Sequence, residues 1–292
     1  MEDIARALGG LCDAEYQRGR MRTALTHVLR CLELSEQHGL VGLRLAYLPM
    51  AAACRGYCGE FEPAVELTRE AATAAHRAGD VRAELLARTI GASIELNRAN
   101  YAAALDGGER SAALARELGA GRFEAEAMVT VGLARRGLGR RADALATLED
   151  AVERARVAAP TYCGPLALAA LAIACDDLAR GRALLDEGEQ LLARGSVSHN
   201  HLEFRMQAAE FLLEACDWDG VARHAEALAH YTRDEPLPWA DVVIARARAL
   251  AAARGGARRG HGRALRDALA RVQATGFAAL EPRLRQALAR GI

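Results

Sequence analysis

A block of eight residues, Cys58-Gly59-Glu60-Phe61-Glu62-Pro63-Ala64-Val65, recurs along this chain at a spacing of 40 residues. Gly19-Arg20-Met21-Arg22-Thr23-Ala24-Leu25 stands before it in register, and Ala99-Asn100-Tyr101-Ala102-Ala103-Ala104-Leu105 and Gly139-Arg140-Arg141-Ala142-Asp143-Ala144-Leu145 stand after it. Each copy opens on a small residue and closes on alanine followed by an aliphatic side chain. A repeat of this length implies stacked supersecondary units, none of which buries its apolar face alone. The chain of 292 residues therefore needs no division into globular domains, because such an array grows along one axis.

Apolar residues recur at helical spacing within each copy, as in Leu25, Val28, Leu29 and Leu32, so the unit is a helical hairpin. The pairs fall at 2–17 with 21–37, 41–57 with 62–78, 81–98 with 102–117, and 122–137 with 141–157. Gly79-Asp80 reads as the end of one helix and the cap of the next, and Pro63 falls in a first helical turn, where its missing N–H costs nothing. Small residues form two columns at the same interval: Cys12, Ala52, Ala92 and Gly132 on the first helix of each pair, and Ala24, Ala64, Ala104 and Ala144 on the second. They allow the two backbones of a hairpin to approach closely.

Beyond Pro160 the period loosens. The matching alanine is Ala183, and the next turn is Cys216-Asp217-Trp218-Asp219-Gly220-Val221. Further pairs are expected at 165–175 with 180–194 and 199–215 with 219–232, then a helix at 239–253 after the stiff turn Glu235-Pro236-Leu237-Pro238-Trp239. Four glycines and Arg258-Arg259 mark 255–262 as a link, followed by closing helices at 263–274 and 278–290. The expected organisation is a helical-repeat array over 1–254, the Gly/Arg-rich link 255–262, and capping helices of the same domain over 263–292.

Composition narrows the chemistry. Half the residues are apolar, 51%, but aromatics make up only 4%, which favours close-packed helices over sheets. The 38 basic residues are all arginine. A P-loop, a pyridoxal Schiff base and a kinase fold each require a lysine, so none of them resides in this chain. Acidic residues also number 38, so no net field gathers nucleic acid or anionic lipid. Seven scattered cysteines read as reduced core residues. The N-terminus lacks a secretory pattern, and the longest apolar run, Pro165 to Cys175, is too short to span a bilayer. The expected location is the cytoplasm.

Candidate sites lie mostly in the less regular half. Ser198-His199-Asn200-His201 places two imidazoles around an amide; two ligands fall short of a zinc site, and a loop with Ser198 or Asn200 capping the next helix accounts for the same residues. Cys54 and Cys58, one helical turn apart, read as core. Trp218 and Trp239, with Asp217, Asp219, Tyr231, Glu235 and Asp241 nearby, mark a possible partner or ligand surface, or else joints between repeats. The cluster Arg254, Arg258, Arg259, His261, Arg263, Arg266 and Arg271 is the local candidate for nucleic acid, without interleaved aromatics for base stacking. No hydrolase motif and no paired catalytic carboxylates are evident, and no cofactor or metal is implied.

The hairpins, with small residues facing each other and Met21, Phe61 and Tyr101 at the turns, resemble the tetratricopeptide repeat, whose usual unit is about 34 residues; HEAT and armadillo units run about 40–47. The expected fold is all-α: a right-handed tetratricopeptide-like α-solenoid of about seven helical hairpins with a C-terminal capping helix pair. The segments Tyr162-Cys163-Gly164-Pro165, Gly195 to His201, Asp217-Trp218-Asp219 and Tyr231 to Asp241 resemble the C-terminal helical-repeat region of large bacterial adenylate/guanylate cyclase proteins that carry an ATPase module. The resemblance implies a non-catalytic sensor or docking region in signal transduction, taking a protein or peptide partner in its concave groove. A small-ligand-sensing repeat domain, as in bacterial transcription regulators, is the alternative.

Overall fold

A computed structural model describes residues 1–253 and 261–290. These form fifteen α-helices in chain order: α1 Glu2–Gln17, α2 Met21–Gln37, α3 Val41–Tyr57, α4 Phe61–Ala78, α5 Val81–Asn97, α6 Tyr101–Glu117, α7 Gly121–Gly137, α8 Arg141–Ala158, α9 Gly164–Ala174, α10 Leu178–Ala193, α11 Ser198–Glu214, α12 Trp218–Tyr231, α13 Pro238–Ala252, α14 His261–Thr275 and α15 Glu281–Ala289, with a 3-10 turn at Ala278–Leu280 before the last. No strand occurs among the described residues. The helix at 41–57 runs unbroken through Pro49.

Local sequence sets the punctuation. Gly19, Gly39, Gly59, Gly79, Gly119 and Gly139 all take positive φ, 61° to 82°, so a left-handed turn closes nearly every helix of the regular half. Position 99 belongs to the same series but carries alanine, held at φ 59° against the clash of its Cβ. Asp80 accepts a hydrogen bond from the Ala83 N–H at 3.0 Å and caps α5 as its position suggests.

Packing follows the two small-residue columns. Cys12, Ala52 and Ala92 are 0–3% exposed, and Ala24, Ala64, Ala104 and Ala144 have no exposed surface. At Gly132 an added Cβ would sit 2.5 Å from the Leu148 side chain, which shows how tight the hairpin gap is. Odd-numbered helices pack on the next odd-numbered helix from α1 through α9 to α11 and α13, whereas even-numbered helices pack chiefly on their chain neighbours. The odd helices therefore form the inner wall of a curved array.

That curvature brings the ends together. α1 touches α11, and α3 touches α13. Glu235, between α12 and α13, accepts from the Arg22 N–H at 2.6 Å, the Thr23 N–H at 3.3 Å and the Thr23 hydroxyl at 2.5 Å. Those amides are orphan donors of the first turn of α2, whose own N-cap position, Arg20, supplies no side-chain bond. Glu235 thus caps a helix more than 200 residues upstream, where the helix dipole also favours negative charge. Ser198 donates to the Tyr16 carbonyl, and ring contacts join Tyr57 to Trp239 (5.7 Å) and Phe61 to Phe277 (5.3 Å). The Tyr231 ring lies over the Gly19 turn.

The chain departs from expectation in four places. α14 begins at His261, two residues inside the stretch read as a link, while Arg254, Arg258 and Arg259 lie outside the described residues. The closing segment at 278–290 starts as a 3-10 turn and becomes helical only at Glu281. Cysteine burial is uneven: Cys12, Cys31, Cys54 and Cys163 are buried, Cys58 and Cys175 half-buried, and Cys216 exposed, all as free thiols. Ser198 and Asn200 do not cap α11, whose cap residue is Val197; they bond across to other helices instead.

Two outcomes follow for stability. Replacing Ala99 with glycine removes the left-handed penalty and should raise stability by about 0.5–1 kcal/mol in urea denaturation. Glu235→Ala, which strips the distant cap, should lower it by about 1–2 kcal/mol, whereas Asp241→Ala, which removes only an exposed first-turn charge of α13, should cost about 0.3–0.5 kcal/mol.

Candidate functional site

Equivalent positions of successive repeats face one cavity of about 220 Å³ along the inner wall. Tyr16, Gly56, Leu96 and Arg136 stand 40 residues apart, as do Tyr57, Asn97 and Gly137, and all seven line it. The irregular half supplies Leu166 and Ile173 from α9, then His199, Glu203, Met206, Gln207 and Glu210 from α11. Trp239, Phe277, Ala279 and Leu280 come from the C-terminal segments that have curled back onto α3–α5. The concave face is in this way narrowed from a groove to a cavity.

Its polar groups are unusual for a helical core. Glu203 is 8% exposed, and its carboxylate accepts from the Tyr57 hydroxyl at 3.4 Å. Burial pushes its carboxyl up to about 7; the Tyr57 bond pulls it down, and the neighbouring Glu126 pushes it further up. Burial likewise raises Glu126 to about 7, against the opposing pull of Arg122 and the Tyr162 hydroxyl. Burial, followed by the Glu203 carboxylate, holds the Tyr57 phenol well above its ordinary value. Burial would also raise Glu210, but Arg246 and Arg283 outweigh it and hold that carboxyl down.

Three buried polar atoms of this wall have no hydrogen-bond partner: Glu126 Oε2, Gln207 Oε1 and Trp239 Nε1. Buried polar groups are ordinarily satisfied, because leaving one unpaired costs about 1–3 kcal/mol. Three on one cavity are left for water or the polar atoms of a ligand to satisfy.

The residues singled out from the sequence separate here. Trp239 and His199 line the cavity. His199 lies 5% exposed with its Nε2 2.9 Å from the Tyr162 carbonyl, and burial lowers it to about 4. Asn200 donates to that carbonyl at 2.5 Å and accepts from the Leu166 N–H at 3.2 Å, tying α11 to α9. His201 stacks on Tyr231 at 4.5 Å, away from the cavity. The two histidines do not converge on a metal, and no group of three metal-ligating side chains exists among the described residues. Trp218 is half-buried at the start of α12, where Asp217 caps the helix through the Gly220 N–H. Glu235 is a structural cap, and Asp241 is exposed.

The carboxyl pair itself was missed. Glu126, on α7, and Glu203, on α11, share no sequence motif and come to one cavity through the stacking of α7 and α11 on α9. A signal existed in α11, where His199, Glu203, Gln207 and Glu210 place polar groups at three- and four-residue spacing on one face of a buried helix. No helix is long and apolar enough to cross a membrane.

The carboxyls make stability depend on pH. Glu203 loses its proton near its ordinary 4.5 when unfolded and only near 7 when folded. Its contribution to stability is therefore intact below 4.5 and is lost as pH rises through about 7. His199, ordinarily 6.5 and lowered to about 4, acts oppositely: its contribution is intact above 6.5 and lost as pH falls towards 4. Glu203→Gln keeps an acceptor for Tyr57 and should stabilise the chain at pH 8 by on the order of 1–3 kcal/mol, with no gain at pH 4. Urea denaturation at the two pH values measures the difference.

Neither a family model nor a curated protein matches the chain. Among solved structures it is similar to a Rap protein complexed with Competence and Sporulation Factor, with a TM-score of 0.60 at 14% identity over 97% of this chain and 74% of that one. It is also similar to a STAND protein, a signal transduction ATPase with a tetratricopeptide repeat sensor from Pyrococcus horikoshii, with a TM-score of 0.54 at 14% identity over 98% of this chain. The match spans only 44% of that protein. Tetratricopeptide-like repeats of a kinesin light chain from Podosopora anserina match at a TM-score of 0.50 and 16% identity, over 66% of this chain and 97% of that one. The fold is a tetratricopeptide-like α-solenoid.

Proposed function

We propose that this chain is a non-catalytic binding module, a sensor or regulatory region that takes a short segment of a peptide or protein partner into the cavity on its concave face. One observation carries this: the inner helices converge on a cavity whose wall holds three buried, unpaired polar atoms. A Rap protein of similar fold has been solved in complex with Competence and Sporulation Factor, and a STAND protein of similar fold carries a tetratricopeptide repeat sensor; both support a receiving role. The cavity's volume of about 220 Å³ suits the end of a chain or a small metabolite better than a long helix. That size also admits the second reading, a small-ligand sensor, on the same site. A place in cyclase-linked signalling rests on the motifs between 162 and 241 and is tested by whether a cyclase is co-purified or encoded in frame.

Thermal shift against a library of short peptides and metabolites tests the module. A ligand that binds only the folded state raises the melting temperature, with about 2.7 kcal/mol of stabilisation at a hundredfold excess over Kd. Ser93→Trp, which fills the cavity from α5, should abolish the shift while leaving the helical circular dichroism intact. No shift from any compound, or one that survives Ser93→Trp undiminished, contradicts the reading.

A further inference from the structure

The unpaired atoms specify what the cavity asks of a ligand. Gln207 Oε1 and Glu126 Oε2 are acceptors, and Trp239 Nε1 is a donor, the last two residues being carried on different helices around the same space. Gln207 is 3% exposed and Trp239 1%, so what satisfies them is water or a ligand inside the cavity. Glu203 stands one helical turn before Gln207 and adds a second carboxyl. Three of the arginines nearby are committed elsewhere. Arg136 donates to the Ile173 carbonyl at 3.0 Å and pairs with Glu214 at 2.7 Å. Arg246 and Arg283 hold Glu210. Arg122, the fourth, lies over the Phe123 and Tyr162 rings, 4.7 and 4.9 Å from their centroids, and pulls on Glu126 from there without a direct bond to its Oε2.

An anionic ligand would bring more acceptors to a wall that already has too many. An apolar one would leave all three atoms unpaired. A cation with N–H donors answers both carboxyls and the amide, and the Tyr57 and Trp239 rings suit a cation as well. The Trp239 N–H then calls for an acceptor close to the cation. An ammonium with a carbonyl next to it is the head of every unblocked polypeptide.

We propose that the cavity receives the free amino terminus of a short peptide, with its ammonium held by Glu126, Glu203 and Gln207 and its first carbonyl accepting from Trp239 Nε1. The proposal rests on the reading of the concave cavity as a binding site and names its ligand class.

Calorimetry on the full chain with three probes tests it: an alanine tripeptide amide with a free amino terminus, the same peptide acetylated at that terminus, and n-butylamine. The free peptide should bind. Acetylation, which removes the charge but keeps the carbonyl, should weaken binding by about 30-fold or more, and n-butylamine, which keeps the charge but lacks the carbonyl, by about tenfold. The double variant Glu126→Gln with Glu203→Gln, neutral and isosteric, should erase the preference for the free peptide over the acetylated one. Trp239→Phe should weaken the peptide by about tenfold and leave n-butylamine unchanged. Equal binding of the free and acetylated peptides, or an unchanged preference in the double variant, overturns the amino-terminus assignment while leaving a working cavity. Silence from all three probes overturns the assignment too, and the library shift with its Ser93→Trp control then decides separately whether the cavity binds anything.

Discussion

Close approach of the two backbones within each hairpin is the constraint from which the rest of the structure descends. Cys12, Ala52, Ala92 and Gly132 on the first helices and Ala24, Ala64, Ala104 and Ala144 on the second are all buried. A larger side chain in either column would have to displace packed neighbours, as the 2.5 Å approach to Leu148 at Gly132 shows. Small residues recurring at the same positions let successive units stack in the same manner, and the inner helices pack one on the next along the array. Stacking of that regularity is what lets α11 and α13 land on α1 and α3.

The second half gives up the register and in exchange supplies the interior chemistry. α9 is short, Gly164–Ala174, and buried along almost its whole length, so it acts as an apolar floor. α11 lies beside it with a mixed face, in which Phe204 and Phe211 pack in the core while Glu203, Gln207 and Glu210 turn to the cavity. The close approach of Gly181 to Phe211 and of Gly188 to Phe204 shows that α10 was shaped around these rings. Polar residues on such a helix weaken it as core. Their place is explained by the space they line.

The fold was largely legible in the sequence, since a 40-residue register and glycine punctuation are local signals that tertiary context reinforces. Helix limits over the regular half agree with the structure to within a residue or two. The site was legible only in part. Trp239 stood out because it follows Glu-Pro-Leu-Pro, a conspicuous turn, and His199 because of its paired imidazole. Glu126 sits in an unremarkable alanine-rich helix, and it shares a cavity with Glu203 through the stacking of α7, α9 and α11, which no local pattern encodes. Glu235 was noticed for the wrong reason: the turn is distinctive because it delivers a carboxylate to the first turn of α2, and this distant cap is invisible without the curled chain. Ser198 and Asn200 were likewise read as local caps although their partners lie on α1 and α9.

The contact between Glu235 and the start of α2 changes how such an array should fold. An open solenoid obeys nearest-neighbour rules, so nucleation can begin anywhere and terminal units fray singly. Here Ser198 meets Tyr16 and Glu235 meets Thr23, at separations of 182 and 212 residues, and such contacts carry a loop-closure cost that can be repaid only late. The ends therefore stabilise each other as a ring does, raising cooperativity across units that would otherwise melt in sequence. The seam, rather than any single repeat, is therefore where the cooperativity of the whole array is concentrated.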